Sequence, residues 1–129
     1  MWFEIPGKPV PTQRVRVVKG HAYTPDKTKA FEELVGEKFK ESHGKKLAGP
    51  VWISITVWYQ IPPSWTKKRK EEELLKPHTQ KPDLDNVVKS ILDGLNGKAW
   101  ADDAQVARIT ASKYWTDEPT RTVVIVEEA

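Results

Sequence analysis

Asp83 and Asp85 stand either side of Leu84 at the start of a helical pattern, and Asp102-Asp103 follow soon after its end. Lys89 lies one helical turn beyond Asp85, and Asp93 a turn beyond Lys89. Carboxylates gathered in one place repel one another unless a cation sits between them, so a cluster of three implies a bound metal. Oxygen-only ligands favour Mg2+, with Mn2+ as the alternative. Such an ion activates water and neutralises charge on a phosphoryl transition state, and an ammonium like that of Lys89 steadies a nonbridging or leaving oxygen. The chemistry implied is phosphodiester hydrolysis.

Simpler roles exist for each residue alone. Asp83, between Pro82 and an apolar-periodic run, is a good helix N-cap. Asp85, Lys89 and Asp93 fall on the polar side of the helix at successive i,i+4 steps, as a surface ladder of ion pairs would. Neither role explains the crowding of acids. A twelve-residue helix advances about 18 Å and the eight residues from Asn96 to Asp103 span up to about 26 Å, so the chain is long enough to return Asp102 or Asp103 to Asp83 and Asp85. A calcium-binding loop of the EF-hand type also begins with aspartates at positions one and three, but Val88 stands where that loop needs glycine and Gly94 where it needs glutamate. The chain has no phosphate-cradling loop, dinucleotide fingerprint or nucleophile elbow, so no nucleotide cofactor is expected. It has no cysteine, which excludes disulfides, thiolate zinc sites and a cysteine nucleophile. His21, His43 and His78 are too scattered to share a metal and are expected on the surface.

The elements that must position these groups are legible from periodicity. Leu84, Val87, Val88, Ile91, Leu92 and Leu95 give the clearest amphipathic helix, which Gly94, Asn96 and Gly97 are expected to end. Val51, Ile53, Ile55, Val57 and Tyr59 alternate as in a strand with one buried face, and Trp52 and Trp58 on its other face predict cover there as well. Thr24-Pro25-Asp26 predicts the start of another helix, with Phe31, Leu34, Val35 and Phe39 on its stripe and His43-Gly44 as its stop. Ser64 to Leu75 predicts a charged helix that Pro77 closes, and His78 to Lys81 a loop. Further strands are expected at 2–5, 14–18, 21–23, 104–115 and 120–126. With 129 residues the chain makes one domain, residues 1–129, of the α+β class: a mixed β-sheet flanked by helices. No apolar run approaches the roughly 20 residues of a membrane span, and a cytoplasmic protein without a membrane partner is expected.

The formal net charge of +3 matters less than its distribution. Lys8, Arg14, Arg16 and Lys19 precede Asp26 with Glu4 as the only acid among them. A second block, Lys67-Lys68-Arg69-Lys70, is followed by Glu71-Glu72-Glu73 and then by Lys76, His78 and Lys81. Such a block is either a solvated helix face whose bases pair with its acids or a surface that contacts phosphates.

The run Lys81-Pro82-Asp83-Leu84-Asp85-Asn86-Val87-Val88-Lys89, then Asp93-Gly94-Leu95-Asn96, then Trp100-Ala101-Asp102-Asp103-Ala104-Gln105-Val106 closely resembles the signature of the RusA-type Holliday junction resolvases. Gly7-Lys8-Pro9-Val10-Pro11, Arg14, Arg16 and Ala22-Tyr23-Thr24-Pro25 resemble the N-terminal segment of phage and Gram-positive members. Thr12-Gln13 and Val15 depart from the lysine-glycine pair and the proline that many relatives carry. The resemblance implies a magnesium-dependent endonuclease, an intertwined homodimer that cuts four-way DNA junctions by paired nicks in recombination and repair. It implies that Asp83, Asp85 and Asp103 are metal-binding catalytic residues, that Lys89 is the catalytic lysine, and that Asp102 is an adjacent acidic ligand. A two-fold dimer suits a junction of approximate two-fold symmetry. Arg14, Arg16, Lys67, Lys68, Arg69, Lys70 and Lys81 are then the expected DNA contacts, and Trp65 the candidate for unstacking bases at the branch point. Two other functions fit the same residues: a protein that binds branched or single-stranded DNA without cutting it, and a nuclease that prefers flaps or other branched DNA.

Overall fold

The computed structural model describes residues 1–12, 16–18, 20–23 and 26–129, with the side chains of 16–18 and 21–23 left aside. Arg14 and the Thr24-Pro25 helix start lie outside the described residues, and of Arg16 the backbone alone is described. The fold is a single α+β domain. Its elements run β1 (Trp2–Pro6), β2 (Arg16–Val18), β3 (His21–Tyr23), α1 (Asp26–Glu41), β4 (Val51–Gln60), α2 (Lys67–Glu73), α3 (Leu84–Leu95), a short 3-10 turn at Asp103–Gln105, β5 (Val106–Thr116) and β6 (Arg121–Glu128).

Four strands form a mixed sheet in the order β1-β6-β4-β5, and β2 and β3 make a separate two-stranded ribbon. β4 pairs parallel with β5 and antiparallel with β6. A parallel neighbour requires a long crossover, and the chain spends α2 and α3 on it. That crossover carries Asp83 and Asp85 across the molecule, so the sheet pairing is what places them. Val51, Ile53, Ile55, Val57 and Tyr59 are buried, as their alternation predicts, against Val35 and Phe39 of α1 and Val87, Ile91 and Leu95 of α3. Phe39 meets Phe3 of β1 edge to face at 6.0 Å.

The opposite face of the sheet differs from expectation. Trp2 is 63% exposed and Trp52 40%, and Ile125, the cross-strand partner of Trp2, is exposed with them. Both long helices pack on the other side, yet Trp58, expected under cover with Trp52, is half-buried beside Tyr114, at 5.3 Å, and under Arg121, at 5.8 Å. Arg108 lies over the Trp52 ring at 4.9 Å and supplies part of the missing cover.

Helix ends follow local chemistry. At the end of α1, the Gly44 N–H donates to the Phe39 carbonyl and the His43 N–H to that of Lys40, with His43 rather than a glycine in the left-handed region at φ 60°. Glycine is needed one residue later, where any Cβ would strike the Phe39 ring. Gly94 does not end α3, which continues to Leu95. A Cβ at Gly94 would lie 2.9 Å from the Glu32 carbonyl oxygen and 2.9 Å from the Val35 Cβ, so this glycine lets α3 cross α1 at close range. Gly94→Ala is therefore expected to destabilise the fold by about 1–3 kcal/mol from overpacking, although alanine is favoured by up to about 1 kcal/mol in an isolated helix. Urea unfolding measures the sign; a stabilised variant would mean that the two helices yield freely at this point.

Candidate active site

Asp83 occupies the N-cap position of α3 with extended backbone angles, yet its side chain makes no capping hydrogen bond. The carboxylate turns outward instead, and Lys81 Nζ donates to its Oδ1 at 2.6 Å. Half of the Asp83 side chain is exposed. That hydrogen bond and the charge of Lys81, with a smaller effect from Lys113, hold the carboxyl below its ordinary range, so it is ionised at neutral pH. Asp85, in the first turn of the same helix, is exposed. Negative charge here is stabilised by the helix dipole. Thr12 reaches the same turn, its N–H donating to the Asn86 carbonyl at 2.9 Å. The strand containing Arg16 begins shortly after this contact.

Asp102 and Asp103 are held elsewhere. Asp102 caps the 3-10 turn: its Oδ1 accepts from the Ala104 N–H at 2.9 Å, and Gln105 Oε1 accepts from the Asp102 N–H in return. Asp103 Oδ1 accepts from the indole Nε1–H of the buried Trp100 at 2.8 Å. Gln105 Nε2 donates to the carbonyls of Leu47 and Gly49, which fastens the turn to the entrance of β4. This whole group lies beyond the C-terminal end of α3, where Gly97 N–H donates to the Trp100 carbonyl.

Within one chain, then, the two acidic pairs lie beyond opposite ends of α3, whose 12 residues make a helix about 18 Å long. The loop after Asn96 is long enough to return, but the Trp100 indole and the Gln105 amide keep it where it starts. Among the described residues, no three histidine or acidic side chains stand close enough together to hold a metal ion. The donor chemistry at Asp83 and Asp85 nevertheless suits magnesium, which takes one or two carboxylates and completes its shell with water and substrate phosphate.

Lys89 points away from Asp85. Its Nζ lies 3.7 Å from Asp93 Oδ2 and its side chain is 64% exposed. On the neighbouring α1, burial and then Asp93 raise the pKa of Glu32, while Lys89 and Lys98 lower it, so Lys89 neutralises an acidic edge between α1 and α3. The basic block forms α2, none of whose residues is buried. Lys68 Nζ stands 4.0 Å from Glu72 Oε1, and Lys67 is exposed. Arg69 lies over the Trp65 ring at 3.6 Å, and that ring meets Trp115 edge-on at 4.8 Å. Trp65 is thus packed between an arginine and the core rather than projecting as a wedge.

Two residues near the site escape sequence inspection. His78, expected on the surface, is buried between the rings of Tyr59, at 4.1 Å, and Trp115, at 4.2 Å. Burial, and then the charge of Lys113, lower its pKa and keep it neutral. Lys113 sits on the inner face of β5 opposite Val57, and its Nζ donates to the carbonyls of Gln80, at 2.6 Å, and Pro82, at 2.8 Å. A lone lysine in the pattern of a strand gives no sign of such a role; one facing the buried side of a sheet does, once the pairing register is known.

Comparison with known proteins bears on these same residues. The YqaN protein of Bacillus subtilis strain 168, described as uncharacterized, is 34% identical over 135 residues, a match covering 97% of this chain and 94% of that protein. A family model described as endodeoxyribonuclease RusA matches residues 6–127, from the end of β1 nearly to the end of β6, and takes in both acidic pairs, α2 and Lys113. Two outward carboxylates on a helix start, set in a chain matched almost end to end, place this protein in the RusA endodeoxyribonuclease family.

Proposed function

We propose that the protein is a divalent-metal-dependent endonuclease that resolves four-way DNA junctions as a homodimer. The observation that carries this reading is the state of Asp83 and Asp85: exposed at the start of α3, with Asp83 ionised and not used to cap its helix. Asp83 and Asp85 would hold Mg2+, and Mn2+ in its place. The bound ion supplies a water of lowered pKa and neutralises charge on the phosphate.

The chain's own residues do the rest. Lys81 pairs with the Asp83 carboxylate and is itself exposed, so its ammonium would be able to move to a phosphate when a cation takes the carboxylate. Lys89, tethered loosely to Asp93, has the reach of a long flexible side chain toward a leaving oxygen one turn back. Lys67, Lys68, Arg69 and Lys70 on α2, together with Arg14 and Arg16, give backbone contacts that hold branched DNA without reading its sequence.

The separation of the acidic pairs supports a particular dimer. Since the two acidic pairs lie beyond opposite ends of α3, a helix about 18 Å long, a centre using both draws Asp83 and Asp85 from one protomer and Asp103, with Asp102 beside it, from its partner. The same separation also favours a second reading, a junction-binding protein that does not cut.

Cleavage of a synthetic four-way junction separates the two. Paired nicks are expected in Mg2+ and none after chelation, with the junction still bound. Binding without nicking in Mg2+ or Mn2+ would favour the second reading, and nicking confined to flap substrates would redirect the specificity.

A further inference from the structure

The approach to α3 is fastened to β5 in an ordered way. The Leu75 N–H donates to the Trp115 carbonyl, the Trp115 N–H to the Lys76 carbonyl and the His78 N–H to the Lys113 carbonyl, so residues 75–78 run beside the strand as a short ladder. Beyond His78 the backbone ladder stops. From Thr79 to Pro82, the backbone carbonyls held among the described residues are those of Gln80 and Pro82, which accept from Lys113 Nζ; Lys81 pairs with the Asp83 side chain, and the Asp83 carbonyl accepts the Val87 N–H of α3 at 3.3 Å.

We infer that Lys113 is a positioning residue for the metal-binding carboxylates: its ammonium extends the β5 ladder across the gap and fixes the backbone from which Asp83 projects. The inference rests on the nuclease reading for its consequence in catalysis, but the fastening itself is independent of that reading.

Three features support it. Lys113 is half-buried on the inner face of an edge strand, where an unpaired ammonium is costly and where its two carbonyl acceptors hold it in place. Its charge lies near enough to Asp83 and Lys81 for all three to interact. Lys81, by contrast, is almost fully exposed on the same carboxylate, so it is able to leave while Lys113 stays. An ammonium bound to the Gln80 and Pro82 carbonyls would hold the backbone that carries Asp83 in place while the exposed Lys81 leaves the carboxylate. The arrangement parallels outer-shell hydrogen bonds at metal sites, whose loss costs about 10- to 100-fold in metal affinity or activity.

The test uses Lys113→Met, which keeps the length and removes the donors, and Lys113→Arg, which keeps charge and donors. Two readouts are needed: amide hydrogen exchange over residues 79–86, and Mn2+ binding followed by electron paramagnetic resonance, alongside the Mg2+ dependence of nicking. For Lys113→Met, faster exchange confined to 79–86 and a 10- to 100-fold rise in the half-saturating metal concentration are expected, with junction affinity unchanged, and Lys113→Arg should recover most of both. Unaltered exchange at 79–86 in Lys113→Met would overturn the fastening. Exchange raised throughout the domain, with no recovery in Lys113→Arg, would reduce Lys113 to general support of the fold and also overturn the proposal. Failure of the wild type to bind Mn2+ or to nick would instead count against the nuclease reading, and the exchange data would still decide whether Lys113 orders the segment.

Discussion

Asp85→Asn reduces junction nicking by about 10³-fold, corresponding to about 4 kcal/mol of transition-state stabilisation, and Asp83→Asn does the same: this is the expected result of removing either exposed carboxylate. The change replaces one carboxylate oxygen by an amide NH2 of nearly the same size, so packing is untouched. At Asp83 the helix does not lose a cap, because the side chain is turned toward Lys81 and makes no bond to α3. Stability is therefore expected to stay within about 0.5 kcal/mol of the parent, as for other surface substitutions. Binding to junction DNA in chelator should be unchanged or tighter, since a negative charge facing phosphates has been removed. Nicking assays at saturating Mg2+, paired with a gel-shift titration, measure both. A loss of activity that tracked a loss of folded protein would assign these aspartates to structure.

α3 was readable because its apolar positions repeat at helical spacing and bury one face, and β4 because its alternation has period two. Such patterns report which side of an element faces the core; they say nothing about what covers the other side. Hence Trp52 was expected beneath cover and is instead exposed. Gly94 illustrates a second limit. Its role arises from the Glu32 carbonyl of another helix, and nothing near it in the chain announces that approach.

The site divides in the same way. Asp83, Asp85, Asp102 and Asp103 stand out by type and spacing, and the family match spans all four. Their mutual distance did not follow from loop length. An eight-residue connection sets only the farthest reach, and the actual path is decided by the Trp100 indole and the Gln105 amide, which bind groups near in sequence and at the entrance of β4. Lys113 and His78 were missed because their roles depend on strand register and on the ladder that residues 75–78 make with β5.

The second large effect concerns the assembly. If each centre takes Asp83 and Asp85 from one chain and Asp103 from the other, Asp85→Asn and Asp103→Asn are each inactive alone, yet a mixed dimer holds one centre with both defects and one with none. Random pairing of equal amounts then restores intact centres to about one quarter of the wild-type number, each making single nicks rather than paired cuts. Were every centre built within one chain, the mixed dimer would carry a defect in both.

Co-expression of the two variants under different affinity tags, isolation of the doubly tagged dimer and assay on a four-way junction with one labelled strand per arm tests this account most directly. Restored nicking, with nicked junctions accumulating in place of paired products, is the predicted outcome; a doubly tagged dimer that binds the junction and leaves every strand intact would contradict it.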